Sequence, residues 1–241
     1  MSDLTRNEAF LTLYTDLARE GPGAPADLGW ALSVAATPQL ARICDAGCGS
    51  GADTVTLAKE RPKAQIDAVD TIAQFVAAAQ KRVAPFGARV QVRQGDMASI
   101  DGPYDLIWCA GALYFLGVTE GLSKWRKALA PGGAVAFSEP CLLSRPSAAA
   151  CAFWAEYPQI TDVAGIRARV GAAGYRVLGE QMQVGDAWEA YYIPMARRIE
   201  KLRPQARGAL AEALDEAERE IARWKAAPSE IAYALMVVAP E

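Results

Sequence analysis

Between residues 41 and 62 one short segment restricts the fold of this chain more than any other. Ala41 to Asp45 is a strand-length apolar run, Ala46-Gly47-Cys48-Gly49-Ser50-Gly51 follows with glycine at alternate positions, and a helical pattern then runs to the residues before Pro62. Glycines at such positions let the backbone approach a ligand closely and take conformations that a side chain forbids. A strand entering a helix through this kind of turn opens a doubly wound α/β sheet, in which ligands sit beyond the carboxyl ends of the strands.

The rest of the chain keeps the same rhythm. Gln65 to Asp70 reads as a second strand, and Ile72 to Pro85 as a helix with Ile72, Phe75, Val76, Ala79 and Val83 on one face. Val90 and Val92 alternate with polar residues in a third strand that ends at Gly95-Asp96, and Tyr104 to Cys109 is a continuous apolar fourth. Gly121 to Ala130 predicts a helix closed by Pro131-Gly132-Gly133, and Ala134 to Ser138 a fifth strand. Residues 141–160 are aromatic-rich and irregular, followed by a short helix at Ile166 to Ala173 and a strand at Tyr175 to Val184. Pro204 to Ala226 places Leu210, Leu214, Ala217, Ile221 and Trp224 at helical spacing, with Glu212, Asp215, Glu216 and Arg219 opposite as a solvated face. An apolar strand, Ile231 to Ala239, closes the chain.

Composition removes several chemistries. None of the 241 residues is histidine, which excludes Ser-His-Asp hydrolysis, His-paired cysteine catalysis, HExxH zinc proteolysis and His-ligated haem. Five cysteines without a CxxC pair give no metal site and read as reduced thiols. A net charge of -3 gives no reason to expect nucleic acid or an anionic membrane as partner. Acidic residues Asp3, Glu8, Asp16 and Glu20 near the start, without an apolar run, are unlike a signal peptide, so a cytoplasmic location is expected.

Two ligand classes compete for the glycine turn, because Gly47-x-Gly49-x-x-Ala52 also satisfies the dinucleotide pattern of nicotinamide and flavin enzymes. That pattern delivers a pyrophosphate to a helix N-terminus. Asp45, two residues before the first glycine, would repel a phosphate and suits a cationic ligand. Asp70, at the end of the second strand, is placed to accept from ribose hydroxyls in either class. Asp96 ends the third strand, where it suits an adenine amine with Met97 as an apolar wall.

Asp45, Gly47, Gly49, Gly51, Asp70 and Asp96, in this order, resemble the class I S-adenosylmethionine-dependent methyltransferases, and Leu129-Ala130-Pro131-Gly132-Gly133 resembles that family's turn before strand five. The resemblance implies an α/β, doubly wound, seven-stranded, mostly parallel sheet with helices on both faces, the Rossmann-like methyltransferase fold, its last strand antiparallel. It implies S-adenosylmethionine as cofactor, with S-adenosylhomocysteine as product, held by those residues and their neighbours Cys48, Thr71, Ile72, Met97, Cys109 and Gly111. Residues 1–40 are expected to form a helical cap region and 41–241 the methyltransferase domain, with 141–165 and 184–228 as substrate-side or lid insertions in one structural domain.

A narrower similarity links the chain to bacterial methyltransferases of largely unassigned substrate. It rests on Gly21-Pro22-Gly23, Trp108 to Tyr114, Ser138-Glu139, Phe153-Trp154, Tyr157-Pro158 and Trp188-Glu189-Ala190-Tyr191-Tyr192-Ile193-Pro194. Ala110 stands where that subgroup has a glutamate. The implied reaction is in-line methyl transfer to a small-molecule N, O or S nucleophile, in which alignment supplies much of the rate and a base is needed only if the acceptor loses a proton. Glu139 and Tyr114, both placed at the ligand edge of the sheet, are the candidate catalytic residues. Tyr14, Trp154, Tyr157, Trp188, Tyr191 and Tyr192 are candidates for the substrate wall. No Asp/Asn-Pro-Pro-Tyr/Phe segment follows strand four, which speaks against nucleic-acid amino methylation. A monomer or homodimer without membrane partner is expected; the alternatives are a Rossmann-type NAD(P)-dependent oxidoreductase and a non-catalytic S-adenosylmethionine-binding protein.

Overall fold

A computed structural model of the chain describes residues 4–241. Its centre is β1 (Arg42–Ala46), where Ile43, Cys44, Asp45 and Ala46 are all buried, as a parallel strand covered on both faces requires. β2 (Gln65–Asp70) lies beside it in parallel register, Ile43 opposite Ile66, and β3 (Val90–Gln94) follows outward. On the other side β4 (Tyr104–Cys109) pairs with β1, and β5 (Leu129–Leu142) with β4, again parallel. The sheet then turns antiparallel: β8 (Ile231–Pro240) lies between β5 and β7 (Tyr175–Gln183), giving the order β3-β2-β1-β4-β5-β8-β7. A two-residue strand, β6 (Thr161–Asp162), pairs with the end of β5 and makes an eighth beside the seven expected.

Helices cover both faces. α2 (Pro25–Val34), α3 (Ala52–Glu60) and α4 (Ala73–Val83) contribute Leu28, Leu32, Leu57 and Val83 to one core layer under Trp108 and Leu235. α5 (Val118–Trp125) and α7 (Val163–Ala172) bring Leu122, Trp125, Ile166 and Val170 to the opposite layer with Phe137 and Met236. A third apolar cluster joins α1 (Arg6–Tyr14), α6 (Ala148–Phe153), α8 (Asp186–Leu202) and α9 (Gly208–Ala226), and meets the sheet at Tyr233. Among the described residues, no helix is long and apolar enough to cross a membrane.

Both ends of β5 differ from the sequence reading, each because of a neighbouring strand. The helix expected to run to Ala130 ends at Trp125, and β5 begins at Leu129, so Pro131-Gly132-Gly133 lies within the strand. Here the glycine gives backbone proximity rather than a stop: a Cβ on Gly133 would lie 2.6 Å from the Tyr104 carbonyl oxygen. At its far end β5 runs past Ser138 to Leu142, held by antiparallel pairing that reaches Leu142 opposite Ile231.

Candidate active site

The turn from β1 into α3 fixes the floor of the site. Gly47, Gly49 and Gly51 all have positive φ (80°, 52° and 87°), where a side chain would be strained. The N–H groups of Gly47 and Cys48 both reach the Val69 carbonyl, at 2.8 and 3.0 Å, which ties the turn to the end of β2. A Cβ on Gly47 would lie 2.8 Å from that of Ala112, and one on Gly51 2.9 Å from that of Ala79. The floor is thus built by close approach on three sides.

Carboxylates gather around this floor. Asp70 accepts from Gly49 N through Oδ2 (2.9 Å) and from Ile72 N through Oδ1 (2.8 Å), so both oxygens are aimed and keep spare lone pairs. Asp45 is 2% exposed and accepts from Thr54 Oγ1 at 2.6 Å; burial, with the nearby charge of Asp53, pushes its carboxyl up to about 8. Asp96 caps the 3-10 turn Met97–Ser99 by accepting from Ala98 N, while its side chain still faces the cavity with Met97.

Glu20 completes the group from a loop that sequence reading left without a role. Its Oε2 accepts from Ser50 N at 3.0 Å and would lie 2.4 Å from a Cβ on Gly49. Its Oε1 is buried and has no hydrogen-bond partner among the described residues. Burial raises its carboxyl above the usual range, partly offset by Ser50. Neighbouring Arg19 explains Gly21-Pro22-Gly23, since its guanidinium donates to the carbonyls of Gly21, Pro22 and Gly23 and lies 3.5 Å from Asp53.

From this floor a cavity of about 750 Å³ opens toward α8 and α9, within the range of ligand pockets. Of the cofactor candidates, Asp45, Gly47, Cys48, Gly49, Asp70, Thr71, Ile72, Asp96, Met97 and Gly111 line it, and so does Ala110. Tyr14, Tyr114, Trp154, Tyr157, Trp188, Tyr191 and Tyr192 line its other half with Tyr233. Core and wall are not alternatives for these aromatics. Trp154, Trp188 and Tyr192 are at most 2% exposed; Trp188 packs edge to face on Trp154 and on Tyr233, its centroid 5.1 Å from the latter, while Tyr192 lies tilted against it, yet all three border the space. Tyr14 and Tyr191 share a hydrogen bond at 2.7 Å. Burial holds the Tyr114 phenol well above its ordinary pKa, so it stays a neutral donor.

Three expected residues do not line the cavity: Gly51, Cys109 and Glu139. Gly51 packs on α4, and Cys109 is buried in the core under α5. Sequence alone puts Glu139 at a strand end, because the apolar run stops at Ser138. With β5 continuing, it sits mid-ladder opposite Ala234, 6% exposed, with Oε1 3.9 Å from the Arg169 guanidinium on α7. Burial raises its carboxyl to about 7, with Arg169 drawing it back. Its neighbour Ser138 accepts from Gly111 N at 2.8 Å and shapes the loop after β4. The polar face of α9 also departs from a solvated role, since Glu216, Arg219, Glu220 and Arg223 border the cavity.

Residues 43–133 match the family described as "Methyltransferase domain". The chain is 33% identical over 165 residues to a trans-aconitate 2-methyltransferase of Paracidovorax citrulli, covering 64% of this chain and 62% of that protein. It is 32% identical over 170 residues to that of Variovorax paradoxus, 66% and 64% of the two chains. The chain thus spans less than two thirds of these curated relatives. Among solved structures, a SAM-dependent methyltransferase of Geobacter sulfurreducens in complex with S-adenosyl-L-homocysteine superposes with a TM-score of 0.84 at 21% identity, over 100% of both chains. One of Thiobacillus denitrificans, in the same kind of complex, gives 0.81 at 21% identity, also over 100% of both. Residues 43–133 thus match a methyltransferase domain, and the chain as a whole has the Rossmann-like methyltransferase fold of these structures.

Proposed function

We propose that the chain binds S-adenosylmethionine at the glycine turn and transfers its methyl group to a small molecule. One observation carries the choice of ligand: the backbone donors that a pyrophosphate would use are already met by carboxylates, Gly49 N by Asp70 and Ser50 N by Glu20. A dinucleotide phosphate would meet this negative charge at short range, whereas a cationic cofactor is attracted by it. When bound, the cofactor supplies a methyl group activated by its sulfonium sulfur.

The residues present fit that cofactor. Asp70 keeps lone pairs for ribose hydroxyls, Asp96 and Met97 border the adenine side, and the carboxylate of Glu20, which lines the cavity beside Gly49, is the acceptor for the cofactor's ammonium. The aromatic half excludes water and orients the acceptor, with the neutral Tyr114 phenol as a donor to it. Residues 141–165 and 184–228, which carry α6, α8 and α9, act in this reading as the substrate-side cap.

The reading is tested by incubating the chain with methyl-labelled S-adenosylmethionine and separate pools of small metabolites, RNA and unrelated protein. Label in the small-molecule pool alone is expected. Label in RNA or protein alone would contradict the acceptor class.

A further inference from the structure

Glu20 stands at the glycine turn on a loop that nothing in its own sequence would keep there. Burial disfavours its charge and the carboxylate of Asp70 adds to that, while Ser50 and the charge of Arg82 draw the other way. A carboxylate in such surroundings swings out to water unless its backbone is fixed. The residue before it supplies the fixing. The Arg19 guanidinium donates to three successive carbonyls, those of Gly21, Pro22 (3.3 Å) and Gly23 (2.6 Å), and so locks the chain that follows Glu20. Gly23 is a glycine for this reason: its φ is 144°, and a Cβ there would lie 2.5 Å from Arg19 Nη2.

The same guanidinium reaches the first turn of α3, where Nη2 lies 3.5 Å from Asp53 Oδ1, the two side chains being 14% and 13% exposed. Asp53 is itself aimed, since its Oδ2 accepts from the indole N–H of Trp108 at 3.1 Å and Trp108 is buried in β4. A continuous set of contacts therefore runs from the sheet through Trp108, Asp53 and Arg19 to the loop that carries Glu20. Such a fork folds a loop back on itself in many proteins; its placement gives it a further role here. Arg19, Glu20, Gly21, Pro22 and Asp53 all line the cavity. The loop's two anchors, Ser50 N for Glu20 and Asp53 for Arg19, flank Gly51 where the turn enters α3, so the loop is registered on the turn itself. A separate tether, Arg82 on α4 donating to the carbonyls of Leu17 and Ala18, holds the preceding segment.

We propose that Asp53 and Arg19 are positioning residues: they hold the Glu20 carboxylate at the glycine turn and thereby set the affinity for the amino-acid end of the cofactor, without contacting the cofactor themselves. The proposal rests on the S-adenosylmethionine reading of the site. It assigns to Glu20 the contact and to the Asp53–Arg19 pair the geometry that makes the contact strong, since a charge-assisted hydrogen bond keeps its strength only while its acceptor is held in place.

The test is calorimetric titration of the full chain and its variants with S-adenosylhomocysteine and with 5′-methylthioadenosine, which has no amino acid. Arg19→Ala is expected to weaken S-adenosylhomocysteine about tenfold and 5′-methylthioadenosine less than about twofold. Asp53→Asn keeps an acceptor for Trp108 and gives up the charge that faces Arg19. It is expected to show the same selective loss, about threefold, and decides the matter if Arg19→Ala does not fold. In a Glu20→Gln background neither substitution is expected to cost more than about twofold further, because both act through Glu20. No loss, or equal losses of the two ligands, overturns the proposal and makes the fork a support of the fold alone. A loss in the Glu20→Gln background as large as in the native chain also overturns it, by showing that Arg19 or Asp53 meets the cofactor directly. Both results leave the cofactor reading standing, whereas a native chain that binds neither ligand overturns that reading and the proposal together.

Discussion

At the scale of single residues, the acids around the glycine turn divide into those that sequence spacing reveals and one that it does not. Asp45, Asp70 and Asp96 each stand at a strand end next to a turn, so local pattern alone places them in one site. Glu20 reaches Ser50 across thirty positions of chain from a loop with no periodicity, and only the folded chain brings it there. In the proposed complex Glu20→Gln weakens S-adenosylhomocysteine binding by about 1.5–3 kcal/mol, the worth of a charge-assisted hydrogen bond, and leaves 5′-methylthioadenosine, which lacks the amino acid, unchanged. Calorimetry on both ligands checks this; equal losses for the two would remove Glu20 from the ammonium contact. Glu139 gives a second prediction. Its folded carboxyl titrates near 7 against an ordinary 4.5, so the folded state holds the proton more tightly and stability is lost as pH rises through that interval. Glu139→Gln removes this loss. The variant should gain on the native chain by up to about 3 kcal/mol between pH 4.5 and 8 in denaturant titrations, and a difference independent of pH would show that Glu139 is not buried as described.

At the scale of elements, glycine is the residue whose meaning local pattern leaves open. Gly51 and Gly133 both stand in runs that read as turns, and the first is one, while the second lies inside β5 because Tyr104 lies against it. Nothing near Gly133 in the sequence distinguishes a helix stop from close strand approach; the neighbouring strand decides. A second long-range pairing, between β5 and β8, extends β5 and moves Glu139 from the strand's end to its middle. Gly51→Ala should cost about 1–3 kcal/mol, since positive φ and the approach to Ala79 at 2.9 Å act together. Urea unfolding measures it, and a change under about 0.5 kcal/mol would mean that α3 and α4 separate readily.

At the scale of the whole molecule, the succession of strands and helices was legible because each strand and crossover helix carries its own apolar period, while the order of the strands in the sheet comes from their pairing in the folded chain. The helical cap was harder to read. Its aromatics look the same in a core as in a cavity wall, and here they serve as both, with Trp188 and Tyr192 buried against α9 and bordering the space. Its polar face is equally ambiguous, since Glu216, Arg219, Glu220 and Arg223 have the spacing of solvated residues and border the cavity. The choice of cofactor rests on the carboxylates at the glycine-turn end of the cavity, where Asp70 and Glu20 take the backbone donors of Gly49 and Ser50. Isothermal titration of the full chain with S-adenosylhomocysteine and, separately, with NAD tests that reading most directly. The account predicts single-site binding of S-adenosylhomocysteine with no heat from NAD, and binding of NAD without S-adenosylhomocysteine would contradict it.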